Sequence, residues 1–194
     1  MKRAFTIIEL LGVMVVLATL FGLILPAMKL SIRTAHKKQA TADATALAQA
    51  VIRYRQTYGF WPGPEAVGDD SAAPILIVGT NLPAWANLAA LNLPAAGPAA
   101  GTRDLADVIR ALLPSDDGAN PRSIRFLDIP ASRLSHDGLF IDPWGAPYAI
   151  VIHPPGEIAG HRVGWSEVVA FSFGPPGRIV SAADNLIFSA GVPR

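Results

Sequence analysis

The chain has no cysteine. No disulfide can staple it, so a domain placed in an oxidising compartment must hold together by packing and hydrogen bonds. No C-x-x-C and no H-E-x-x-H occurs, and the four histidines, His36, His136, His153 and His161, are scattered, which argues against a zinc site. Neither G-x-S-x-G nor a P-loop is present, so nothing local argues for a hydrolase or an NTPase, and the chain is expected not to be an enzyme. Charge is sparse. Only 16% of residues are Asp, Glu, Lys or Arg, and the formal net charge is +1, which provides no global field for nucleic acid. No internal repeat is visible.

What is present is apolar. Residues 1–4 form a short basic leader with Lys2 and Arg3, and from Phe5 to Met28 a single charge interrupts the apolar run, Glu9. About 20 apolar residues suffice to span a bilayer as a helix. A carboxylate at membrane depth costs roughly 2.5–3.5 kcal/mol at a helix centre and is rarely kept without a partner. A secretory signal peptide fits poorly. Its apolar core runs to about 7–15 residues before a small-residue cleavage site. Here the run is longer, and the first A-x-A, Ala40-Thr41-Ala42, lies beyond a basic stretch. A simple uncleaved anchor fits the length but leaves Glu9 unexplained. Removing the anchor leaves roughly 165 residues, enough for one domain with its own core.

The helix is expected to continue past the membrane run. No Gly or Pro occurs from Ala27 to Tyr58, and Leu47, Ala50, Val51, Tyr54 and Tyr58 form an apolar stripe, with Lys37, Lys38, Asp43, Arg53 and Arg55 on the other faces. Gly59 and Pro62 supply a stop. A helix from Phe5 to Tyr58 would be about 80 Å long at about 1.5 Å per residue. Pro26 lacks an amide hydrogen and is expected to kink it. Residues 59–101 are rich in Gly, Pro and Ala and read as loop, with short elements at Ile75 to Val78 and Trp85 to Leu91. A second helix is expected from Thr102 to Leu113. Three strand-like runs follow, Ser123 to Ile129, Tyr148 to His153 and Glu167 to Phe173, with turn signals that suit antiparallel pairing. The fold class is α+β: a long N-terminal helix packed on a small antiparallel-sheet head.

The stretch Arg3-Ala4-Phe5-Thr6-Ile7-Ile8-Glu9-Leu10-Leu11 resembles the class III signal of type IV pilins and type II secretion pseudopilins, with Ala4 where a Gly is usual. Further along, RYRQTYGFWPGPEA, IDPWGAPYAI and FSFGPPGRIVSAADNLI resemble segments of the major pseudopilin of type II secretion. The middle, roughly Ala66 to Asp137, is longer than in the compact version of that family. The resemblance implies a prepilin peptidase cut between Ala4 and Phe5, N-methylation of Phe5, and a role for Glu9 in filament assembly, facing the new amino terminus of a neighbouring subunit. Pro26 matches the proline these proteins often carry. The domain plan is then a leader at 1–4, a transmembrane or filament-core helix at 5–28, its amphipathic continuation at 29–58 and a periplasmic head at 59–194. Expected partners are further copies of this chain, the prepilin peptidase, minor pseudopilins and an inner-membrane assembly platform. Counting Lys29, Arg33, Lys37 and Lys38 against Lys2 and Arg3 would place the C-terminal side in the cytoplasm, whereas the resemblance implies the reverse.

In that family the C-terminal loop binds calcium through carboxylates and carbonyls, which suits a hard cation. The resemblance puts Asp184 and Asn185 at this site, with Pro176 where the family has an Asp; a cap or turn role for Asp184 is the competing reading. Asp69-Asp70 and Asp116-Asp117 lack EF-hand spacing and read as solvated turns. Trp61, Trp85, Trp144 and Trp165 read as core and loop anchors. The basic run Lys29 to Lys38 favours lipid headgroups and neighbouring subunits over DNA. The expected function is that of a type II secretion pseudopilus subunit. A type IV pilus pilin or minor pilin is the alternative within the class, and a membrane-anchored binding or enzymatic domain is the alternative outside it.

Overall fold

The computed structural model describes residues 6–63, 74–79, 82, 84–86, 88–91, 103–115, 118–164, 166–176 and 186–189, with side chains at all of these but 23–27, 29, 89, 90 and 103. The chain forms two compact units, Met1–Lys38 and Gln39–Arg194. One helix, α1 (Ile7–Tyr58), contributes to both. It runs through position 26 without ending, and it stops where expected. Gly59 takes φ +82° and donates its amide to Arg55 O at 2.7 Å, the left-handed cap that glycine adopts without strain.

In the first unit the described apolar side chains stand exposed, from Ile7 at 85% to Leu17 at 43%. They point in every direction around the helix. Among the described residues no helix is long and apolar enough to cross a membrane. The expected span was 5–28. Part of it, residue 5 and the side chains of 23–27, lies outside the described residues.

The second unit is α+β. A five-stranded sheet has the order β2-β1-β3-β6-β7, where β1 is Ile75–Val78, β2 Arg103–Asp104, β3 Ala149–Ile152, β6 Val168–Ser172 and β7 Ile187–Phe188. All its pairings are antiparallel except β1 with β2. A separate hairpin joins β4 (Glu157–Ile158) to β5 (His161–Arg162). The strands ILIV, AIVI and VVAFS are buried on both faces, which is why they read as unbroken apolar runs without alternation. Ile75, Ile77, Ile150, Ile152, Val168 and Ala170 face a core built with α1 and α2 (Leu105–Leu112). Leu76, Val78, Ala149, Val151, Val169 and Phe171 face a second cluster closed by Leu91, Ile158 and Val163.

The α1 stripe is as read for Leu47, Ala50, Val51 and Tyr54, all buried, and it begins earlier, at Ala40 and Ala44. Alanine carries too little hydrophobic signal for that extension to stand out in a sequence. Asp43 and Arg55 are not simply solvated: each bonds to a residue far along the chain. The second helix starts at Leu105, because Asp104 ends β2 and caps α2 by accepting from Ala106 N at 3.0 Å. Of the short elements, Ile75 to Val78 is β1, and a 3-10 turn occupies Leu88–Leu91.

Ser123 to Ile129 is not a strand. The amides of Phe126 and Leu127 both donate to Leu112 O, at 3.0 and 3.3 Å. The segment therefore satisfies a terminal carbonyl of α2 in place of joining the sheet. Leu47→Ala should destabilise the protein by about 2–4 kcal/mol, whereas Gln56→Ala on the exposed face should stay within about 0.5 kcal/mol. Urea denaturation of the two variants checks this. Equal effects would mean that the Leu47 face of α1 does not seal the core.

Candidate functional site

Among the sequence-predicted site residues, Glu9 is described with its side chain, and it has a local partner. The Thr6 hydroxyl and the Thr6 amide both donate to Glu9 Oε2, at 2.8 and 2.9 Å. The Glu9 amide donates back to Thr6 Oγ1 at 3.4 Å. This is a reciprocal capping box, with Thr6 as N-cap and Glu9 three residues on. It explains why α1 begins at Ile7 and not at Phe5. The signal was legible as T-x-x-E ahead of an apolar run. Gly12, one turn further on, has nothing within 4 Å of where a Cβ would stand, so it leaves open space beside the carboxylate.

Ala4, Phe5, Asp184 and Asn185 lie outside the described residues, as do Asp69, Asp70, Asp116, Asp117 and Trp165. Pro26 lies within α1, and its side chain is not described. At the mouth of the expected calcium loop stands Pro176, exposed and without a carboxylate. Among the described residues no group of three or more His, Asp or Glu could hold a metal ion. The histidines stay apart. His153 meets Trp61 edge-on at 5.4 Å, His161 meets Phe188 at 5.1 Å, and His136 lies 3.7 Å from Asp137.

The described parts of the three downstream segments that carry the resemblance belong to the second unit. In RYRQTYGFWPGPEA, Arg55 stacks over the buried Trp61 ring at 4.4 Å and pairs with Glu167 at 3.1 Å. Trp61 is thus a core anchor, as expected. In IDPWGAPYAI the organiser is Asp142, 3% exposed. Its Oδ1 accepts from Trp144 N at 2.9 Å and Ala146 N at 2.8 Å. Gly145 takes φ +88° to complete the turn. The Asp142 Oδ2 accepts from Ser172 Oγ at 2.6 Å, and Ser172 Oγ in turn accepts from Gly174 N at 2.9 Å. Asp142 therefore ties the DPWG turn to the FSFGPPG segment. Sequence reasoning saw two separate turns and missed the bond between them. An Asp two and four residues ahead of turn amides was the available signal.

Two further nodes were not foreseen. Asn120, fully buried, uses all its side-chain capacity. It donates to Leu113 O and Ile124 O and accepts from Tyr58 Oη and Ile124 N. Tyr54 Oη donates to Ala119 O at 2.6 Å beside it. The second node joins Asp43 to the head: its Oδ2 accepts from Arg133 Nη2 at 2.8 Å and Tyr148 Oη at 3.0 Å. Burial, and then the negative charge of Asp43, push the Tyr148 phenol above its ordinary range, so it serves as a donor. Nothing in these nodes juxtaposes a nucleophile with a base at a cleft; their arrangement is structural.

Comparison with protein-family models, curated proteins and solved structures returned no match for this chain.

Asp142 generates a prediction in two parts. Asp142→Ala strands the Trp144 and Ala146 amides and should cost about 3 kcal/mol, against about 1 kcal/mol for Asp142→Asn, which keeps an acceptor. Burial raises the Asp142 carboxyl above its ordinary value of 3.8, opposed by the hydrogen bonds from Ser172, Ala146 and Trp144 and by Arg133. A raised folded-state pKa contributes stability in full below the unfolded value, and that contribution is lost as pH rises through the folded value. The stability of the native chain relative to Asp142→Asn should therefore fall between about pH 3 and pH 7. Denaturant titrations at the two ends of that window measure it, and a rise would show that the hydrogen bonds outweigh burial.

Proposed function

We propose that the chain is a membrane-anchored, prepilin-like subunit of a helical filament, most similar to the major pseudopilin of type II secretion. The observation that carries the reading is α1 itself. One unbroken helix bears an apolar first part, exposed on all sides with Glu9 as its only charge, and a last part that forms the core of an α+β head. An apolar helix surface of this extent requires lipid or other helices to cover it. The resemblance at Arg3 to Leu11 and in the three downstream segments supports the same reading.

The subunit would sit in the bacterial inner membrane with its head in the periplasm, lose residues 1–4, and stack with other copies through its apolar segment. A short periplasmic filament would then drive protein export. Glu9 suits the docking role chemically. Its two described bonds use Oε2, which leaves Oε1 to receive the cationic amino terminus that cleavage creates on a neighbouring Phe5. An ammonium and a carboxylate that are each costly in hydrocarbon relieve one another when paired. Export by means of the same signal for a binding or enzymatic domain is the reading of another class. The head nodes, all of them structural, do not favour it. Calcium would enter only through Asp184 and Asn185.

Glu9→Ala should leave membrane insertion intact and abolish incorporation into filaments, scored by membrane fractionation alongside shear-released filament yield. Normal assembly of the variant would sink the pairing argument. Mass spectrometry of the chain from bacterial membranes should find an N-methylated Phe5 at the amino terminus. An intact Met1 would remove the processing step and with it the filament reading.

A further inference from the structure

Gly12 has no part in holding the described fold together, and the role inferred for it rests on the filament reading. Glycine is among the poorest helix formers, yet it stands one turn beyond Glu9 inside α1. Among the described residues no contact demands it, because a Cβ there would meet nothing within 4 Å. What the missing side chain produces is a notch. Glu9, Gly12, Val13, Val16 and Leu17 line an open recess of about 420 Å³ on one face of the helix. Its walls are the exposed side chains of Val13, Val16 and Leu17, and its one charged group is the Glu9 carboxylate at the amino-terminal end.

We infer that this notch seats the aromatic ring of the amino-terminal Phe5 of a second copy, while the ammonium of that residue meets Glu9. Charge complementarity selects the occupant. The notch is apolar with a single acid, so its complement is an apolar group carried beside a cation. The apolar run holds two aromatic side chains, Phe5 and Phe21. Of these only Phe5, once residues 1–4 are removed, bears a ring and an ammonium on one α-carbon. Size agrees, since a cavity of about 150 Å³ lined by apolar side chains suffices for benzene. Spacing agrees as well. Gly12 lies about 4–5 Å along the axis from Glu9 at about 1.5 Å per residue, so ring and ammonium reach to points one turn apart. Between apolar helices in lipid, close packing drives association in place of water exclusion, and a small residue permits the approach. The Glu9 pair alone would fix where a neighbour's nitrogen goes; the notch adds which residue can carry it.

The test expresses the full chain in bacteria and scores shear-released filaments against membrane-inserted subunit, with the amino terminus read by mass spectrometry. Gly12→Leu fills the notch and should lower filament yield by about tenfold, with insertion and processing intact. Gly22→Leu, at a second glycine whose Cβ would also meet nothing within 4 Å, should assemble like the native chain. Combining Gly12→Leu with Phe5→Ala should restore most of the yield, because the leucine then occupies the volume that the ring vacates. Native yield from Gly12→Leu overturns this inference alone and leaves the filament reading standing, as does an equal loss from Gly22→Leu. A loss that Phe5→Ala does not relieve also overturns it. Relief by Phe21→Ala in its place assigns the notch to the other ring and likewise overturns it. A native chain that keeps Met1 or forms no filament overturns the filament reading as well.

Discussion

The sheet of this protein is apolar on both faces, and that constraint decides the rest of the head. A sheet buried on both sides needs two covers. The stripe of α1 from Ala44 to Tyr54, with α2, supplies one, and the β4–β5 hairpin with Leu91 supplies the other. Neither cover is optional, since each strand exposes its alternate residues to a different one. Ile150 and Ile152 depend on α1, whereas Val151 depends on the hairpin side. The end of the long helix is thus an integral part of the core and not a stalk carrying an independent domain.

With no cysteine, the turns that hold these covers in place rely on three polar side chains. Asn120 closes the end of α2 against the tyrosines of α1, Asp142 joins two turns around β3 and β6, and Asp43 anchors α1 through Arg133 and Tyr148. In each case a buried or half-buried group is met by several partners, which is the condition under which burial of a polar atom stabilises. The three nodes are far apart in sequence. No disulfide contributes to any of them.

Much of this was legible. The α1 stripe, its stop at Gly59, the second helix and the strands at 149–152 and 168–172 follow from periodicity, glycine and β-branched runs. The failures share a cause. Ser123 to Ile129 has strand composition, but its amides are claimed by α2, and composition does not record which acceptor an amide will find. Asp43 and Arg55 look like a solvent face until residues some 90 and 112 positions away are brought to them. Asp142 and Ser172 are likewise 30 residues apart. Long-range polar pairing is set by the fold, and a single sequence carries no period that reveals it. The capping box at Thr6 and Glu9 is different. It is local and was readable, but the cost of the charge drew the reading toward a distant partner.

Magnitudes clarify what Glu9 requires. The penalty for a carboxylate in the membrane is roughly 2.5–3.5 kcal/mol at a helix centre and smaller toward an end. Glu9 lies in the first turn of α1, where the helix dipole favours an anion by about 0.3–1 kcal/mol and hydrogen bonds to a charged group contribute about 1.5–3 kcal/mol. With two donors from Thr6, an isolated chain could hold this acid in an apolar surrounding at little net cost. A neighbour's amino terminus is therefore not needed to make the isolated chain tolerable. In the proposed filament its contribution would fall on the contact between subunits, where a second charge would arrive with its own desolvation cost and Glu9 could offset it. A residue that is locally satisfied yet still offers an oxygen to a partner would favour assembly without forbidding the monomer, the combination that the proposed filament subunit would need.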